Sequence, residues 1–158
     1  MKKGNDITTV DVVIPFCDVY TPRSMLSEAV SSAEAQTIPT NIIVVEDKNQ
    51  RGPAWARNLG LRKSDNRYVA FLDADDLWEP DKLERQLAKM TEQHVGLCVE
   101  GSDMETHQFI RELLVGSLVS LTPSILIDRD KVTARFPEDM ERYEDHFFMV
   151  EAALQGGV

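Results

Sequence analysis

The chain has 158 residues, of which 42% are hydrophobic and 28% are charged, enough for one globular domain with its own core. Its 17 basic and 27 acidic side chains give a net charge of −10. This balance argues against general nucleic-acid binding, which needs a basic surface. A polyanionic ligand would need a metal ion or a local group of cations to overcome the repulsion.

The two cysteines, Cys17 and Cys98, lie far apart and fit no metal-binding or redox spacing, which indicates free thiols in a reducing compartment. The basic N-terminus is followed by no apolar signal core. No stretch approaches the roughly 20 apolar residues of a membrane span. We therefore expect a soluble, cytoplasmic protein with no integral membrane segment.

Strand-like and helix-like segments alternate along the chain, which predicts an α/β domain with a mainly parallel sheet flanked by helices. Pro15 stops the first predicted strand, 10–14, and Ser24 is predicted to cap the first helix. The continuous apolar run 42–45 is typical of a strand buried on both faces. Pro53 and Pro80 mark the starts of two further helices.

The later part of the chain contains the remaining elements. Strands are predicted at 68–72, 95–99 and 124–127, with a final helix over 141–154. The segment 107–115 fits either a helix or a strand.

Three of the predicted strands end in acidic side chains: Asp18 follows the first, Glu46 and Asp47 end the second, and the sequence DADD occupies 73–76. Carboxyl ends of parallel strands meet at one edge of a sheet, where ligands bind in open α/β folds. Two carboxylates two residues apart can share a hard divalent cation with the phosphates of a substrate.

Each of these acids also has a simpler explanation as a helix cap or a solvated loop residue. Asp76 or Glu79 fits the cap of the helix predicted from Pro80. Three aligned acidic ends would repel one another, however, and need compensating positive charge. The arginines between the second and third strands are the candidates for that charge, namely Arg51, Arg57 and Arg62.

Several longer segments stand in a fixed order along the chain. They are VDVVIP at 10–15, LSEAV at 26–30, IVVED at 43–47, GPAWARNLG at 52–60, YVAFLDADDLW at 68–78, FPE at 136–138 and YED at 143–145. This ordered set resembles the family 2 glycosyltransferases, which are inverting, nucleotide-sugar-dependent enzymes with a GT-A fold. The resemblance covers roughly residues 8–155 and implies a single glycosyltransferase domain over 1–158.

The resemblance also implies a role for each matching residue. Asp47 would accept hydrogen bonds from the nucleobase, Arg57 would hold an anionic oxygen of the nucleotide, and Asp73 would contact the ribose or assist the metal. Asp75 would coordinate Mn²⁺ or Mg²⁺ bridging the diphosphate of the donor. Asp145 would be the general base that deprotonates the acceptor hydroxyl.

The chain departs from the family pattern in three places. Phe16-Cys17-Asp18 stand where Thr-Tyr-Asn is common, so stacking on the base falls to Phe16. The GPAWARNLG segment follows Asp47 almost at once, which indicates a compact variant. The chain stops soon after Asp145, where relatives continue, and it has no Gln-x-x-Arg-Trp motif for processive polymer synthesis.

The implied function is the inverting, metal-dependent transfer of one sugar from a nucleoside-diphosphate sugar to a hydroxyl acceptor. The alternative is a catalytically inactive domain of the same fold that binds a nucleotide or a partner. A haloacid-dehalogenase phosphatase or a receiver domain fits less well, because each needs its acidic motif on the first strand. The sugar, the base, the acceptor and the oligomeric state stay open, and a homo-oligomer is compatible with the sequence.

Overall fold

A five-stranded sheet forms the centre of the computed structural model, which describes residues 8–118 and 121–158. The strands are β1 (Val10–Phe16), β2 (Thr40–Glu46), β3 (Tyr68–Phe71), β4 (Leu97–Val99) and β5 (Ile125–Asp128), in the spatial order β2-β1-β3-β5-β4. β1 pairs in parallel with β2 and β3, whereas β5 is antiparallel to β3 and β4. Four of these strands therefore run in one direction, as a mainly parallel sheet requires.

The helices of the described ranges lie between and after the strands. They are α1 (Arg23–Glu34), α2 (Pro53–Lys63), α3 (Lys82–Gln93), α4 (Thr106–Leu114) and α5 (Glu144–Gly156), with a 3₁₀ turn at Thr122–Ser124 before β5. The segment that fitted either structure is thus the helix α4. No helix in residues 8–118 and 121–158 is both long enough and apolar enough to cross a membrane.

β2 was predicted to be buried on both faces, and this prediction was wrong. The strand lies at the edge of the sheet, and of its seven residues only Val45 is buried. An apolar run indicates that a strand is favoured, but the position of that strand in the sheet depends on pairing with segments distant in sequence.

Three helix starts also differ from the prediction, and α5 begins at Glu144 instead of at 141. α1 begins at Arg23 after Pro22, and no side chain caps it, so Ser24 lies inside the helix. α3 begins at Lys82 after Asp81, again with no capping side chain. The backbone N–H of Asp76 instead donates to the carbonyl of Asp73 in a turn, 3.1 Å away, so neither Asp76 nor Glu79 is the helix cap.

Alternation along β1 produces a separate hydrophobic layer on each face of the sheet. Val13 packs with the layer that holds Phe71, Phe136 and Phe148. The neighbouring residues of β1 point to the other layer, together with Trp78 and residues of α1 and α3. This two-residue period is what a strand covered on both faces requires.

α2 packs unusually close to β1 because of Gly60. A Cβ atom at Gly60 would lie 2.2 Å from Cγ1 of Val13 and 2.8 Å from its Cγ2, far inside van der Waals contact. Val13 is completely buried in the middle of the sheet. The missing side chain therefore fixes how closely α2, with Arg57 and Asn58, approaches the sheet.

The direction of α5 is set by its C-terminal end. The N–H groups of Gly96 and Leu97, at the start of β4, donate to the carbonyls of Gly156 and Gly157 at 2.7 and 3.0 Å. The end of α5 thus lies at the amino edge of the sheet. Its 13 residues span about 20 Å, so its first turn, with Glu144 and Asp145, reaches towards the carboxyl edge.

Candidate active site at the carboxyl edge of the sheet

The ends of β1, β2 and β3 and the start of α2 surround a cavity of about 440 Å³ at the carboxyl edge of the sheet. Five of the six residues to which the resemblance gave a site role line it, together with several others. The lining residues include Phe16, Cys17, Tyr20, Asp47, Gln50, Gly52, Arg57, Asp73, Ala74 and Asp75. The predicted convergence of acidic strand ends is therefore observed for β2 and β3, whereas Asp18 does not line the cavity.

Asp47 has one occupied and one unoccupied carboxylate oxygen. Its Oδ2 accepts a hydrogen bond from the backbone N–H of Gly52 at 2.8 Å, which holds the loop before α2. Its Oδ1 is buried and has no hydrogen-bond partner in the described part of the chain. Because a buried acceptor without a partner is costly, Oδ1 is suited to receive an N–H from a ligand.

Arg57 is buried and connects two parts of the molecule. Its Nη2 donates to Oδ1 of Asp73 at 2.8 Å, and its Nη1 donates to Oε1 of Glu144 at 3.0 Å. Its guanidinium lies 5.4 Å from the ring centroid of Phe136, and its Nε has no partner among the described residues. Arg57 thus compensates the charge of one strand-end acid, Asp73.

The neighbouring Asn58 fixes the segment that leads to α5. Its Nδ2 donates to the carbonyl of Phe136 at 2.8 Å and to Oε1 of Glu138 at 2.7 Å, and its Oδ1 accepts from the N–H of Phe136 at 2.9 Å. Arg57 and Asn58 together therefore join α2 to residues 136–144.

The acids after β3 occupy different environments. Asp73 is paired with Arg57, whereas Asp75 is exposed, lines the cavity and has no ion pair in the described ranges. Burial raises the pKa of Asp76, and the negative charges of Asp73 and Asp75 add to the effect. Negative charge is therefore crowded at this point of the edge, where a cation would be stabilised.

The side chains fit a divalent cation only in part. Carboxylate oxygens are the ligands that Mn²⁺ and Mg²⁺ prefer. Among residues 8–118 and 121–158, no group of three or more His, Cys, Asp and Glu side chains is arranged to hold a metal ion. Asp75 could therefore hold a cation only with help from ligand oxygens, such as those of phosphates.

Asp145 lies in the first turn of α5 and is not among the residues that line the cavity. Its Oδ1 accepts from the backbone N–H of His146 at 2.8 Å, and it forms no ion pair with Arg142 within the described structure. The residue that reaches the strand ends is its neighbour Glu144, through Arg57. No sequence pattern outside the YED segment marked Glu144.

The family model for "Glycosyl transferase family 2" matches residues 24–150. The chain belongs to this family. The match includes Asp47, Arg57, Asp73, Asp75 and Asp145, whose order along the chain carried the resemblance.

Individual proteins are similar to this chain in sequence or in fold. The chain is 27% identical to the amylovoran biosynthesis glycosyltransferase AmsB of Erwinia amylovora, over 98% of this chain and 56% of AmsB. TarS of S. aureus in complex with UDP superimposes with a TM-score of 0.72 at 19% identity, over 94% of this chain and 56% of that one. The mannosyltransferase PcManGT of Pyrobaculum calidifontis, in complex with GDP-Man and Mn²⁺, gives 0.65 at 19% identity, over 88% and 50%.

These matches confirm the predicted GT-A fold of the family 2 chain. The chain spans about half the length of each of these relatives. What the relatives bind and transfer therefore remains a proposal for this chain.

Two aromatic side chains line the cavity, and they differ in how accessible they are. Phe16 lines the cavity but is only 2% exposed, and the guanidinium of Arg23 lies 5.1 Å from its ring centroid. Tyr20 lines the same cavity and is 73% exposed, with its hydroxyl donating to Oε1 of Gln50 at 3.2 Å. Tyr20 is thus the more accessible of the two rings. It was not predicted from the sequence as a site residue.

The compensating charges also differ in part from the expectation. Arg23 forms an ion pair with Glu46, and this contact holds the pKa of Glu46 below its ordinary value. Arg51 lies over the ring of Trp55, 4.9 Å from its centroid, rather than on a strand-end acid. Arg62 belongs to the last turn of α2, away from the strand ends.

Trp78 is a core residue. It is 8% exposed, and its Nε1 donates to the carbonyl of Pro123 at 3.0 Å. The ammonium of Lys82 lies 4.4 Å from its ring centroid, and burial lowers the pKa of Lys82 to about 8. Trp78 therefore packs the loop after β3 onto the sheet and leaves the cavity to other residues.

Proposed function

We propose that this family 2 domain transfers one sugar from a nucleoside-diphosphate sugar to a hydroxyl acceptor, with inversion at the anomeric carbon and with the help of Mn²⁺ or Mg²⁺. One observation carries the proposal: Asp47, Arg57, Asp73 and Asp75 line a single cavity at the carboxyl edge of the sheet. The UDP and GDP-Man in the TarS and PcManGT complexes support the same class of donor.

Four side chains would receive the donor. The free Oδ1 of Asp47 would accept an N–H of the base, and the exposed ring of Tyr20 would stack on it. Asp73 would accept a ribose hydroxyl through the carboxylate oxygen that does not bind Arg57. Asp75 would hold the divalent cation together with diphosphate oxygens. Bound there, such a cation neutralises the charge that develops on the departing diphosphate.

Asp145 would act on the acceptor. Its carboxylate takes the proton of the acceptor hydroxyl while that oxygen forms a bond to the anomeric carbon. The bond between this carbon and the diphosphate breaks, and its electron pair leaves with the nucleoside diphosphate. Attack opposite the leaving group inverts the anomeric centre.

A domain that binds nucleotide without turnover is the second candidate. It is favoured by the position of Asp145, which does not line the cavity. The two candidates share the donor site and differ only in whether product forms, so one experiment separates them.

The experiment is a panel of nucleotide sugars with Mn²⁺, measured by calorimetric binding and by release of nucleoside diphosphate in the presence of candidate acceptors. We expect one donor to bind in a metal-dependent way and to be turned over. In Asp75→Asn, affinity for Mn²⁺ should fall roughly tenfold or more, because a neutral amide is a weaker ligand for a hard cation.

Asp18→Asn is the matched control for Asp75→Asn, because Asp18 also follows a strand at this edge but lies outside the cavity. It should leave Mn²⁺ affinity unchanged. Absence of binding by every donor would exclude the enzyme. Metal-dependent binding of a donor without release of nucleoside diphosphate would favour the second candidate. An unchanged affinity for Mn²⁺ in Asp75→Asn would exclude Asp75 as the metal ligand.

A thiol provides an independent measure of cavity occupancy. Cys17 lines the cavity, whereas Cys98 is buried and burial raises the pKa of its thiol. We expect N-ethylmaleimide to modify Cys17 first, and a nucleotide at about ten times its Kd to slow this reaction about tenfold. Mass spectrometry of the labelled peptides measures both rates. Equal labelling of Cys17 with and without every nucleotide tested would contradict a donor site at this cavity.

A further inference from the structure

Arg57 has two acidic partners that come from opposite sides of the proposed reaction. Asp73 belongs to the end of β3, on the donor side, and Glu144 is the first residue of α5, immediately before the proposed base. The two ion pairs measure 2.8 and 3.0 Å. A single guanidinium thus joins the donor wall to the helix that carries Asp145.

Burial limits the access of water to the ion pair between Arg57 and Glu144 and restricts its geometry. The side chain of Arg57 is 5% exposed and that of Glu144 is 15% exposed, so water screens their attraction weakly. Removing one partner of a buried ion pair leaves the other charge without compensation, which is strongly unfavourable. Phe136 lies against the guanidinium and is in turn stacked on Phe148 of α5, with ring centroids 4.0 Å apart. The position of Glu144 is therefore determined from several sides.

The start of α5 depends on this junction because the residue before the helix provides no side-chain cap. The residue before the helix, Tyr143, has a left-handed backbone with φ 64° and ψ 16°, and its side chain makes no capping hydrogen bond. Within the first turn, Oδ1 of Asp145 accepts the backbone N–H of His146. The left-handed conformation of Tyr143 is unfavourable for a residue with a side chain, by about 1 kcal/mol. Contacts elsewhere must hold the turn in place, and the Glu144–Arg57 pair is the charged contact that does so.

We propose that Glu144 is a positioning residue for Asp145. Through Arg57 and Asp73 it fixes the first turn of α5 relative to the donor, and so sets where the Asp145 carboxylate meets the acceptor. This inference rests on the proposed function, since it assumes that Asp145 is the base. Glu144 itself needs no contact with the reacting atoms.

Three substitutions at Glu144 separate length, hydrogen bonding and charge. Glu144→Gln keeps the length of the side chain and an acceptor for Arg57 but loses the charge. Glu144→Asp keeps the charge but is one methylene too short. Glu144→Ala removes the length, the acceptor and the charge. A displacement of a catalytic group by about 1 Å lowers the rate about 100-fold. We therefore expect kcat to fall about 100-fold in Glu144→Ala and Glu144→Asp, and less than about tenfold in Glu144→Gln.

Donor affinity, measured by calorimetry, should change less than about twofold in all three variants, because the effect is on placement of the base. Glu141→Gln is the control, since Glu141 is exposed just before α5. Unchanged kcat in Glu144→Ala would overturn the inference, as would donor affinity that falls in parallel with kcat. If the unmodified protein binds no donor, the proposed function itself fails, and this outcome is distinguishable from the others.

Discussion

Replacing Asp145 with asparagine is expected to lower kcat for sugar transfer by about 1,000-fold, since a positioned general base contributes about 10²- to 10⁴-fold. The amide has nearly the same shape but cannot accept the proton of the acceptor hydroxyl. Because Asp145 does not line the donor cavity, the Kd for the nucleotide sugar should stay within about twofold. Steady-state release of nucleoside diphosphate and calorimetric donor binding measure the two quantities.

The control is Asp139→Asn, an exposed acid in the same segment before α5, which should leave kcat unchanged. Two results would contradict the assignment. One is an Asp145→Asn variant with full activity. The other is a loss of donor affinity as large as the loss of kcat, which would make Asp145 part of the donor site instead of the base.

The position of the site at the carboxyl edge of the sheet was predictable from the sequence. In parallel strands the carboxyl ends meet at one edge, so the acids after β2 and β3 had to converge if the pairing was parallel. The cavity contains Asp47 and Asp73 for this reason. The same reasoning failed for Asp18, which follows β1 but lies outside the cavity, although Cys17 and Tyr20 on either side of it line the cavity.

Contacts between distant segments were not predictable in the same way. Arg57 and Glu144 are 87 residues apart, and the helices that carry them show no pattern that specifies the pair. The close approach of α2 to β1 was also not predictable from the sequence, because a glycine within a helix such as Gly60 indicates only a low helix propensity. In both cases tertiary packing gives a residue a role that its local sequence does not express.

The position of β2 in the sheet also could not be predicted from its local sequence. Its apolar run predicted a strand correctly, but burial of that strand depends on how many neighbours it has. At the edge of the sheet it has a single partner, β1, and six of its seven residues are at least partly exposed. Hydrophobicity along one segment therefore identifies the strand and leaves its place in the sheet to long-range pairing.

Gly60→Ala is expected to destabilise the protein by a net value of about 2 kcal/mol, because an overpacking cost of about 3 kcal/mol, at the upper end of the usual range, is offset in part. Alanine alone should favour the helix by about 1 kcal/mol. Here, however, its Cβ would lie 2.2 Å from Val13 in the completely buried centre of the sheet. Overpacking should therefore outweigh helix propensity. Thermal unfolding should show a Tm lower by about 6 °C for a domain of this size.

A double-mutant cycle with Val13→Ala tests the cause of this destabilisation. Val13→Ala should itself cost about 2 kcal/mol through the cavity it leaves. If the two side chains collide, the double variant will be more stable than the sum predicts by about 1 kcal/mol or more, because the new methyl group fills that cavity. Additive effects, or a Gly60→Ala variant with a raised Tm, would show that α2 can move away from β1. In that case the Gly60–Val13 contact would not be what fixes Arg57 at the edge of the sheet.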